Sequence, residues 1–411
     1  MSENLTTPFE TAIQALFSSG NSIQKKAWDR FCSMGLPKNR DEMFQYVRLR
    51  DLYNRSFLPF SCAEPPKEPL PGLVFVNGVY RKEFSTFPEG VIALPLTEAM
   101  TTYSTFLQNR LETLLEEEKD PFALLNLALF SEGLFLYIPP KKVLEAPLSL
   151  FYYMDPSESQ VAAFPRVHLF VGKEASVTLE CSMAGSMNNS WQNSVLDLVL
   201  DEQSQCTLQF TSHEIPSSWH LEAIRASLKR NSSLKTVSAN RGGATSRQDY
   251  HVQLVGEGAE ASLFGVWHLT EKSHHHVHVL MEHKAPYSRS NQTFKGALTG
   301  TSRSSFEGKI YVHREAQKTE AYQLNSNLLL DRKASANSKP NLEIFADDVK
   351  ASHGATVGQL DPDSLFYLKT RGIPESQAKR MLVEGFLLEI FDHFSSPHFK
   401  QKAYDNFFRP A

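Results

Sequence analysis

The feature that most constrains the fold of this chain is a repeated phrase in its middle part. An apolar strand end, a short polar turn and renewed alternation of apolar and polar residues recur at Val171, Leu200, Leu228 and Val255, which lie 29, 28 and 27 residues apart. Such spacing is typical of a solenoid in which each repeat is one or two coils stacked on the last. The two-residue period indicates strands from about residue 143 to 349. A large antiparallel sandwich is also compatible with this period.

Helical spacing dominates before this strand-rich middle. Apolar residues between about 8 and 50 fit two short helices, the second ending near Gly35, and a further helical stretch is expected from about 96 to 130. Asn77-Gly78 predicts a hairpin between them, because both residues accept the positive φ of a tight turn. A proline-rich linker is expected at about 59–71.

After about residue 361 the apolar period returns to 3.6, and Pro374 can start a helix. Five residues share one face of that helix: Ala378, Met381, Leu382, Gly385 and Phe386. A glycine inside a helix costs about 1 kcal/mol relative to alanine unless another backbone approaches it. This face is therefore either a contact surface for another protein or a cap on the open end of the solenoid.

Composition excludes several classes of function. The 411 residues exceed the roughly 250–300 at which one core stops growing, so two or three units are expected. A net charge of -4 with interspersed signs disfavours nucleic-acid binding. The sequence contains no apolar stretch near the roughly 20 residues of a membrane span and starts without a basic, apolar leader. We therefore expect a cytoplasmic protein that contacts no membrane.

The cysteines argue against a cofactor held by this chain alone. Cys32, Cys62, Cys181 and Cys206 are scattered, and none forms a CxxC pair. A disulfide framework is not expected, and proteins that own an iron-sulfur cluster normally supply several thiolates close together. We expect no stably bound cofactor on the isolated chain.

His353 is the first candidate for chemistry. It follows a strand-like stretch from residue 338 and is expected at a strand-to-helix junction. A neutral imidazole is a good ligand for iron. Asp347 and Asp348 are adjacent, so in a strand they would face opposite sides, and a turn or strand-end role is favoured. Gly256 and Gly258 favour a tight corner rather than a dinucleotide loop. The sequence has neither a phosphate-binding P-loop nor a nucleophile elbow, so any ATP hydrolysis on which the protein depends is expected to come from another chain.

A histidine tract at residues 274–278 has the composition of a metal site. In a strand, His274, His276 and His278 would share one face, with His275 and Val277 on the other. No accompanying carboxylate or cross-strand ligand can be identified from the sequence, so a structural role is favoured. His283, shortly after the tract, is expected to form turn or coil-to-coil hydrogen bonds.

The segment at residues 338–358, which ends in the letters SHGATVG, resembles the signature of the SufB/SufD family, as do residues 35–46 and 122–139. The resemblance implies a non-enzymatic assembly subunit for iron-sulfur clusters and a mainly β fold: a right-handed parallel β-helix flanked by helical units. It decides for the solenoid over the sandwich. We predict an N-terminal helical unit with a small hairpin at 1–142, a β-helix at 143–350 and a C-terminal helical unit at 351–411.

Within the family, the resemblance is to SufD rather than SufB. SufB-like chains carry a cysteine and a glutamate at positions that correspond to Leu324 and Gly354 here. In SufD-like chains the histidine that matches His353 is implicated in forming a transient cluster at the interface with SufB, so His353 is also the metal-ligand candidate. Many of those chains have a cysteine where this one has Ala351, so a second ligand from this segment is in doubt.

The resemblance also implies two partners: SufB, through the last β-helix coils, and the ATPase SufC, through the C-terminal helices. Candidate docking residues for SufC are Phe366, Tyr367, Leu368, Arg371, Gly372, Ile373, Leu382, Gly385 and Phe386. ATP hydrolysis would then belong to SufC. Alternatives are a homodimeric SufB/SufD-like scaffold, since the isolated chain could pair with itself, and a carbohydrate-active β-helix enzyme, for which the required groove of carboxylates is not seen in the sequence.

Overall fold

The computed structural model describes residues 7–17, 20–38, 40–59, 70–154, 160–185, 189–212 and 215–408. Residues 1–6, Cys62 and most of the expected proline-rich linker lie outside the described residues. The helices are α1 (Pro8–Leu16), α2 (Ser22–Met34), α3 (Leu49–Tyr53), α4 (Leu96–Thr102), α5 (Ser104–Glu117), α6 (Pro121–Leu129), α7 (Pro362–Thr370), α8 (Glu375–Phe391) and α9 (Pro397–Phe408).

The strands of the described residues lie mostly between α6 and α7, with four short ones among the N-terminal helices. They are β1 (Leu58–Pro59), β2 (Leu73–Val76), β3 (Val79–Tyr80), β4 (Ile92–Pro95), β5 (Leu134–Ile138), β6 (Leu148–Met154), β7 (Val161–Ala163), β8 (Arg166–Val171), β9 (Ser176–Gly185), β10 (Trp191–Leu200), β11 (Gln205–Thr211), β12 (Ile215–Leu228), β13 (Ser233–Asn240), β14 (Gly243–Leu254), β15 (Glu260–Leu269), β16 (His274–His283), β17 (Arg289–Leu298), β18 (Arg303–Val312), β19 (Thr319–Leu329), β20 (Ser335–Ile344) and β21 (Val349–Gly358).

These strands form two sheets that face one another. Sheet A has the order β20-β18-β16-β14-β12-β10-β8-β5-β4, with β1 and β7 beside it, and sheet B has the order β21-β19-β17-β15-β13-β11-β9-β6-β2-β3. Successive coils pair in parallel, as in β14 with β16 and β19 with β21. The chain therefore alternates between the sheets and advances by one coil with each pair of strands, which confirms the parallel solenoid.

The four repeated phrases form the corners between sheet A and sheet B. The first leaves β8 at Val171 and enters β9 at Ser176. At Gly256, a Cβ atom would lie 2.1 Å from the backbone nitrogen of Arg230 in the preceding corner, so only glycine fits. The fourth residue of each phrase has a positive φ: Glu174, Gln203, Asn231 and Gly258. Each repeat is thus one coil of two strands, and the antiparallel sandwich is excluded.

The predicted local elements of the N-terminal part are also present. Gly35 ends α2 with a φ of 74°, and Asn77 and Gly78 join β2 to the antiparallel β3 with φ values of 46° and 84°. Aromatic and aliphatic side chains of this part pack against the outer face of sheet A around Trp191 and Trp219. Burying each large apolar side chain contributes about 1.5–3 kcal/mol to folding stability, so this packing holds the N-terminal helices firmly on the solenoid.

Buried ion pairs cross the same interface. Arg247 of β14 donates to Asp120, next to α6, and to Asp249, at 2.8 Å in each case, and all three side chains are buried. Arg225 of β12 pairs with Glu118 at 2.8 Å and with Asp249 at 2.7 Å. Burial alone would raise the pKa of Asp249, but the two guanidinium groups hold it well below its usual range. The network therefore ties two coils to the N-terminal helices.

The C-terminal helices lie on the outer face of sheet B. Helix α8 contacts β15 and β17, and its buried residues are Ala378, Val383, Leu387, Ile390 and Phe391. Of the two alternatives for this helix, a cap on the open end of the solenoid is therefore excluded. The predicted apolar face was also only partly correct, because Met381 and Gly385 are exposed. Apolar residues surround this helix, so the sequence pattern alone could not identify the face that meets the sheet.

Replacing Arg247 with methionine should destabilise the fold strongly. The change leaves the carboxylates of Asp120 and Asp249 buried with fewer partners, which costs about 3–5 kcal/mol for pairs of this kind. Urea unfolding followed by tryptophan fluorescence measures the loss. The matched control is Lys26→Met, which removes an exposed ion pair to Glu112 and should cost less than about 1 kcal/mol. Equal effects of the two changes would contradict this role of Arg247.

Stability should also depend on one carboxyl group inside the solenoid. Glu222 accepts a hydrogen bond from Gln248 at 3.0 Å, and burial raises the pKa of Glu222 to about 7 from a usual value of 4.5. Between pH 4.5 and 7 the folded chain keeps a proton that the unfolded chain has lost, so this contribution to stability falls as the pH rises and levels off above about 7.

The test compares Glu222→Gln with the unmodified chain at pH 5 and pH 8. The unmodified chain should lose about 2 kcal/mol of unfolding free energy relative to the variant over this interval. The comparison at equal pH cancels the contribution of the buried histidines, whose titration raises stability with pH. The control Glu174→Gln, on an exposed corner, should leave the pH profile unchanged. If the unfolding free energies of the unmodified chain and of Glu222→Gln differed by the same amount at pH 5 and pH 8, the carboxyl would not be buried in its protonated form.

Candidate functional site at the open end of the solenoid

The last coil leaves two sheet edges open. β20 and β21 stand at the ends of their sheets, and no further strand of the described residues pairs with either. Large apolar side chains are exposed on this coil and the one before it: Tyr322, Leu324, Ile344, Phe345 and Val357. Unpaired strand edges with exposed apolar side chains favour pairing with another chain.

His353 lies in the middle of β21, opposite Gln323 of β19. The expectation of a strand-to-helix junction is therefore wrong: the strand continues to Gly358, since residues 354–358 keep pairing with β19. The strand also crosses the predicted boundary between residues 350 and 351. The His353 side chain is exposed and makes no hydrogen bond or ion pair with the described residues. Its imidazole is thus free to bind an external group.

The neighbours of His353 define what this end of the chain can supply. Ala351 lies two residues before it on the same face of β21, pairs with Ala321 and packs against the solenoid core. Leu324 and Gly354 form the adjacent pair, and a Cβ atom on Gly354 would lie 3.1 Å from Leu324 Cδ1. These three residues provide neither a thiol nor a carboxylate. The imidazole of His353 is therefore the one ligand group in this set of four residues.

Asp347 and Asp348 occupy a bend between β20 and β21. The backbone N–H of Asp348 donates to Gln317 Oε1 at 3.0 Å, and its carboxylate pairs with Lys318. The predicted turn role is confirmed.

The histidine tract has the alternation that the sequence predicted. Val277 faces the core of the solenoid, and His275, two residues away, contacts Ser246 at 3.2 Å. On the other face, His276 contacts Ser305 at 2.7 Å and His278 contacts Asp249 at 2.6 Å. Burial lowers the pKa of His275 to about 3. Three of these imidazoles therefore already have partners within the chain.

Metal-ligand groups do not converge in this structure. Among the described residues, no cluster of three or more His, Cys, Asp or Glu side chains is placed to hold a metal ion. His283 contacts the hydroxyl groups of Ser288 and Ser290 at 2.7 and 2.9 Å, which confirms its structural role. Burial raises the pKa of Cys206 to about 12 and that of Cys181 well above its usual value, so both remain thiols.

The candidate docking residues of α7 are on the surface. Phe366 and Tyr367 are 68% and 56% exposed, which is unusual for large aromatic side chains on one helix. The guanidinium of Arg371 lies 5.1 Å from the centre of the Tyr367 ring, and Gly372 adopts a φ of 81° beyond the helix end. Leu368 is half-buried. This arrangement presents two aromatic rings and a cation to solvent.

The candidate residues next to and within α8 are less uniform. Ile373 and Leu382 are half-buried, and Gly385 is exposed with open space where a Cβ would lie. The ring of Phe386 is half-buried, and Lys295 Nζ of β17 lies 4.8 Å from its centre. The close backbone approach that would explain Gly385 is therefore absent within the described part of the chain.

A cavity of about 610 Å³ lies between α7, α8 and the end of β19. Leu365 and Val383 supply apolar walls, while Arg332, Lys379 and Arg380 line its rim.

No described helix has the length and apolar character that crossing a bilayer requires.

Sequence reasoning missed two polar residues near His353. Gln292 of β17 pairs with Gln323 of β19, which pairs with His353, and both glutamine side chains are buried. Extending the corner repeat towards the C-terminus could have placed them on one ladder, since each coil returns to the same position after about 30 residues.

Comparisons with known proteins agree with this architecture. The family model described as "SUF system FeS cluster assembly, SufBD core domain" matches residues 153–386, and the one described as "SufBD protein N-terminal region" matches residues 59–150. A SufBD family protein from Synechocystis is 28% identical over 89% of this chain and 85% of its own length.

Both named branches of the family are among the relatives. SufD from Escherichia coli is 26% identical over 90% of this chain and 88% of its own length. SufB from Bacillus subtilis is 23% identical over 88% of this chain and 83% of its own length. Because the core model alone matches more than half of the residues, the chain belongs to the SufBD family of iron-sulfur cluster assembly proteins.

Proposed function

We propose that this chain is a SufD-like scaffold subunit that contributes His353 to an iron-sulfur cluster assembly site shared with SufB. The observation that carries the proposal is the exposed imidazole on the last strand, which pairs with β19 on one side and leaves its other edge open. This imidazole has no hydrogen-bond partner among the described residues. The absence of a thiol at Leu324 and of a carboxylate at Gly354 favours the SufD branch over the SufB branch.

The chemistry of the site requires a second chain. A neutral imidazole is a suitable ligand for iron, but the inorganic cluster, which is the cargo here, also needs sulfur ligands. Among the described cysteines, Cys181 and Cys206 are buried, and the exposed Cys32 lies in α2 rather than on the last coil. Ala351 stands two residues before the histidine, where many SufD-like chains have a cysteine. The partner therefore supplies the thiolates, and the isolated chain holds no stable cluster.

The open edges of β20 and β21 are the natural surface for SufB. Added strands would satisfy the unpaired backbone groups of both sheets, while side chains such as Phe345 and Val357 become buried. This geometry also permits a homodimer through the same edges, which is the alternative scaffold without a separate SufB. The mass of the complex isolated from cells distinguishes the two. A reducing cytoplasmic location fits the free thiols of this chain.

The ATPase SufC would dock on the C-terminal helices. Phe366, Tyr367 and Arg371 provide the aromatic and cationic side chains that dominate many interfaces. Three residues separate α7 from β21, so Gln359, Leu360 and Asp361 are the whole connection to the strand that carries His353. Movement of α7 by a nucleotide-driven partner would therefore be transmitted to the open end, where it would open the interface with SufB and uncover the imidazole for cluster building.

Replacing His353 with alanine should stop cluster formation and leave complex assembly intact, because the imidazole is exposed and makes no contact that the fold needs. Co-expression with SufB and SufC, followed by absorbance and iron analysis of the complex, measures the effect. The control is Ser352→Ala, its exposed neighbour on the opposite face of β21. Full cluster formation by the His353 variant would exclude the proposed role.

Replacing Phe366 and Tyr367 together with alanine should weaken binding of SufC by about tenfold or more, since buried aromatic anchors contribute more than 1 kcal/mol each at interfaces. Isothermal titration with purified SufC measures the affinity. Tyr287→Ala is the matched control, because Tyr287 is also 56% exposed but lies on a solenoid corner. An equal loss in the control, or no loss in the double variant, would argue against docking on α7.

A further inference from the structure

Side chains at the same position of successive coils form an interior ladder of sheet B, and this ladder turns from mainly apolar to polar as it approaches the open end. In register through successive coils, it contains Leu179, Leu208, Thr236, Leu263, Gln292, Gln323 and His353. Its leucines belong to the apolar core of the solenoid. The last three members are polar, so the amides of two successive coils lead directly to the histidine.

Gln323 points into the solenoid and reaches sheet A. It is 3% exposed, and its Nε2 donates to the carbonyl oxygen of Gly308 in β18 at 3.2 Å. A Cβ atom on Gly308 would lie 2.5 Å from this nitrogen, so glycine makes room for the amide. Because a carbonyl oxygen can only accept, this contact fixes the orientation of the amide and leaves Oε1 as an acceptor. Oε1 has no hydrogen-bond partner among the described residues.

Gln292 is more deeply buried and less satisfied. Its side chain is 0% exposed, and neither Nε2 nor Oε1 has a hydrogen-bond partner in the part of the chain that the structure describes. Asn325 and Asn327, which lie nearby in β19, differ in this respect, because the amide of Asn327 donates to Asn325 Oδ1 at 2.8 Å. Buried amides without a protein partner are ordinarily satisfied by ordered water.

We propose that Gln292 and Gln323 hold buried water beneath His353, and that this water and Gln323 Oε1 fix which ring nitrogen of His353 carries the proton. The inference rests on the proposed role of His353 and concerns the ligand state of the same imidazole. Neighbouring strands lie about 4.8 Å apart, and Gln323 is the residue next to His353 on the ladder. No direct hydrogen bond joins the two side chains, so the proposed link between Gln323 Oε1 and the ring is one water.

The direction of the effect follows from the donor and acceptor roles. The bridging water donates to Gln323 Oε1 and accepts from the ring, so the ring nitrogen bonded to this water keeps its proton. The other ring nitrogen then keeps its lone pair, which is the state that binds iron. Gln323 is therefore a positioning residue that acts through His353, and Gln292 supports it through water.

The test uses the full chain without partners, labelled with ¹⁵N in histidine, and reads the tautomer from long-range ¹H–¹⁵N correlations of the ring. His353→Gln identifies the resonances by their loss. The unmodified chain should have one dominant His353 tautomer. Gln323→Met and Gln292→Met, which keep side-chain length and remove the amide, should each change the tautomer ratio by about threefold or more. Tyr322→Phe, on the outer face of β19, should leave the ratio unchanged.

Three results would overturn the inference. One is an unchanged tautomer ratio in both methionine variants, and another is a rise in the melting temperature of Gln292→Met, as expected of a dry interior. The third is a high-resolution crystal structure in which no water oxygen lies within hydrogen-bond distance of the Gln292 amide. The crystal structure needs no variant, so the test survives poor folding of either one. None of these measurements involves cluster assembly, so their failure is distinguishable from inactivity of His353→Ala in the complex.

Discussion

Parallel stacking of one coil on the next is the constraint on which the rest of this structure depends. Each strand satisfies its backbone groups only through the coils on either side, and each interior side chain lies on the residue at the same position of the neighbouring coil. The N-terminal elements cover the beginning of the stack. At the other end, the last strands have one neighbour each among the described residues, so their outer edges are left unpaired.

Helices occupy the two outer faces and leave that end open. Buried ion pairs and aromatic side chains hold the N-terminal helices on sheet A, while α8 and α9 pack on sheet B. The short connection from β21 to α7 links the open end to the most exposed aromatic side chains of the C-terminal part. The same architecture therefore sets an open sheet end and an exposed aromatic helix a short stretch of chain apart, and these are the two surfaces that the proposed function assigns to SufB and SufC.

Local signals in the sequence predicted much of this fold. The corner phrases predicted the coil length, Asn77-Gly78 the hairpin, and alternation the faces of the histidine tract, because each depends on residues close in the chain. The buried face of α8 could not be predicted, since apolar residues lie around the whole helix and only the contact with sheet B selects Val383 and Leu387. Gln292 and Gln323 were missed because their relation to His353 depends on register between distant strands.

The central claim is that the open end is half of a site, completed by another chain. The most direct measurement is native mass spectrometry after anaerobic reconstitution with iron and sulfide, performed on this chain alone and on its complex with SufB. The account predicts that the chain alone retains no cluster, because the described residues of the last coil offer the imidazole of His353 but no thiolate, and that the complex does. A stable cluster on the lone chain, bound through its own cysteines, would contradict it.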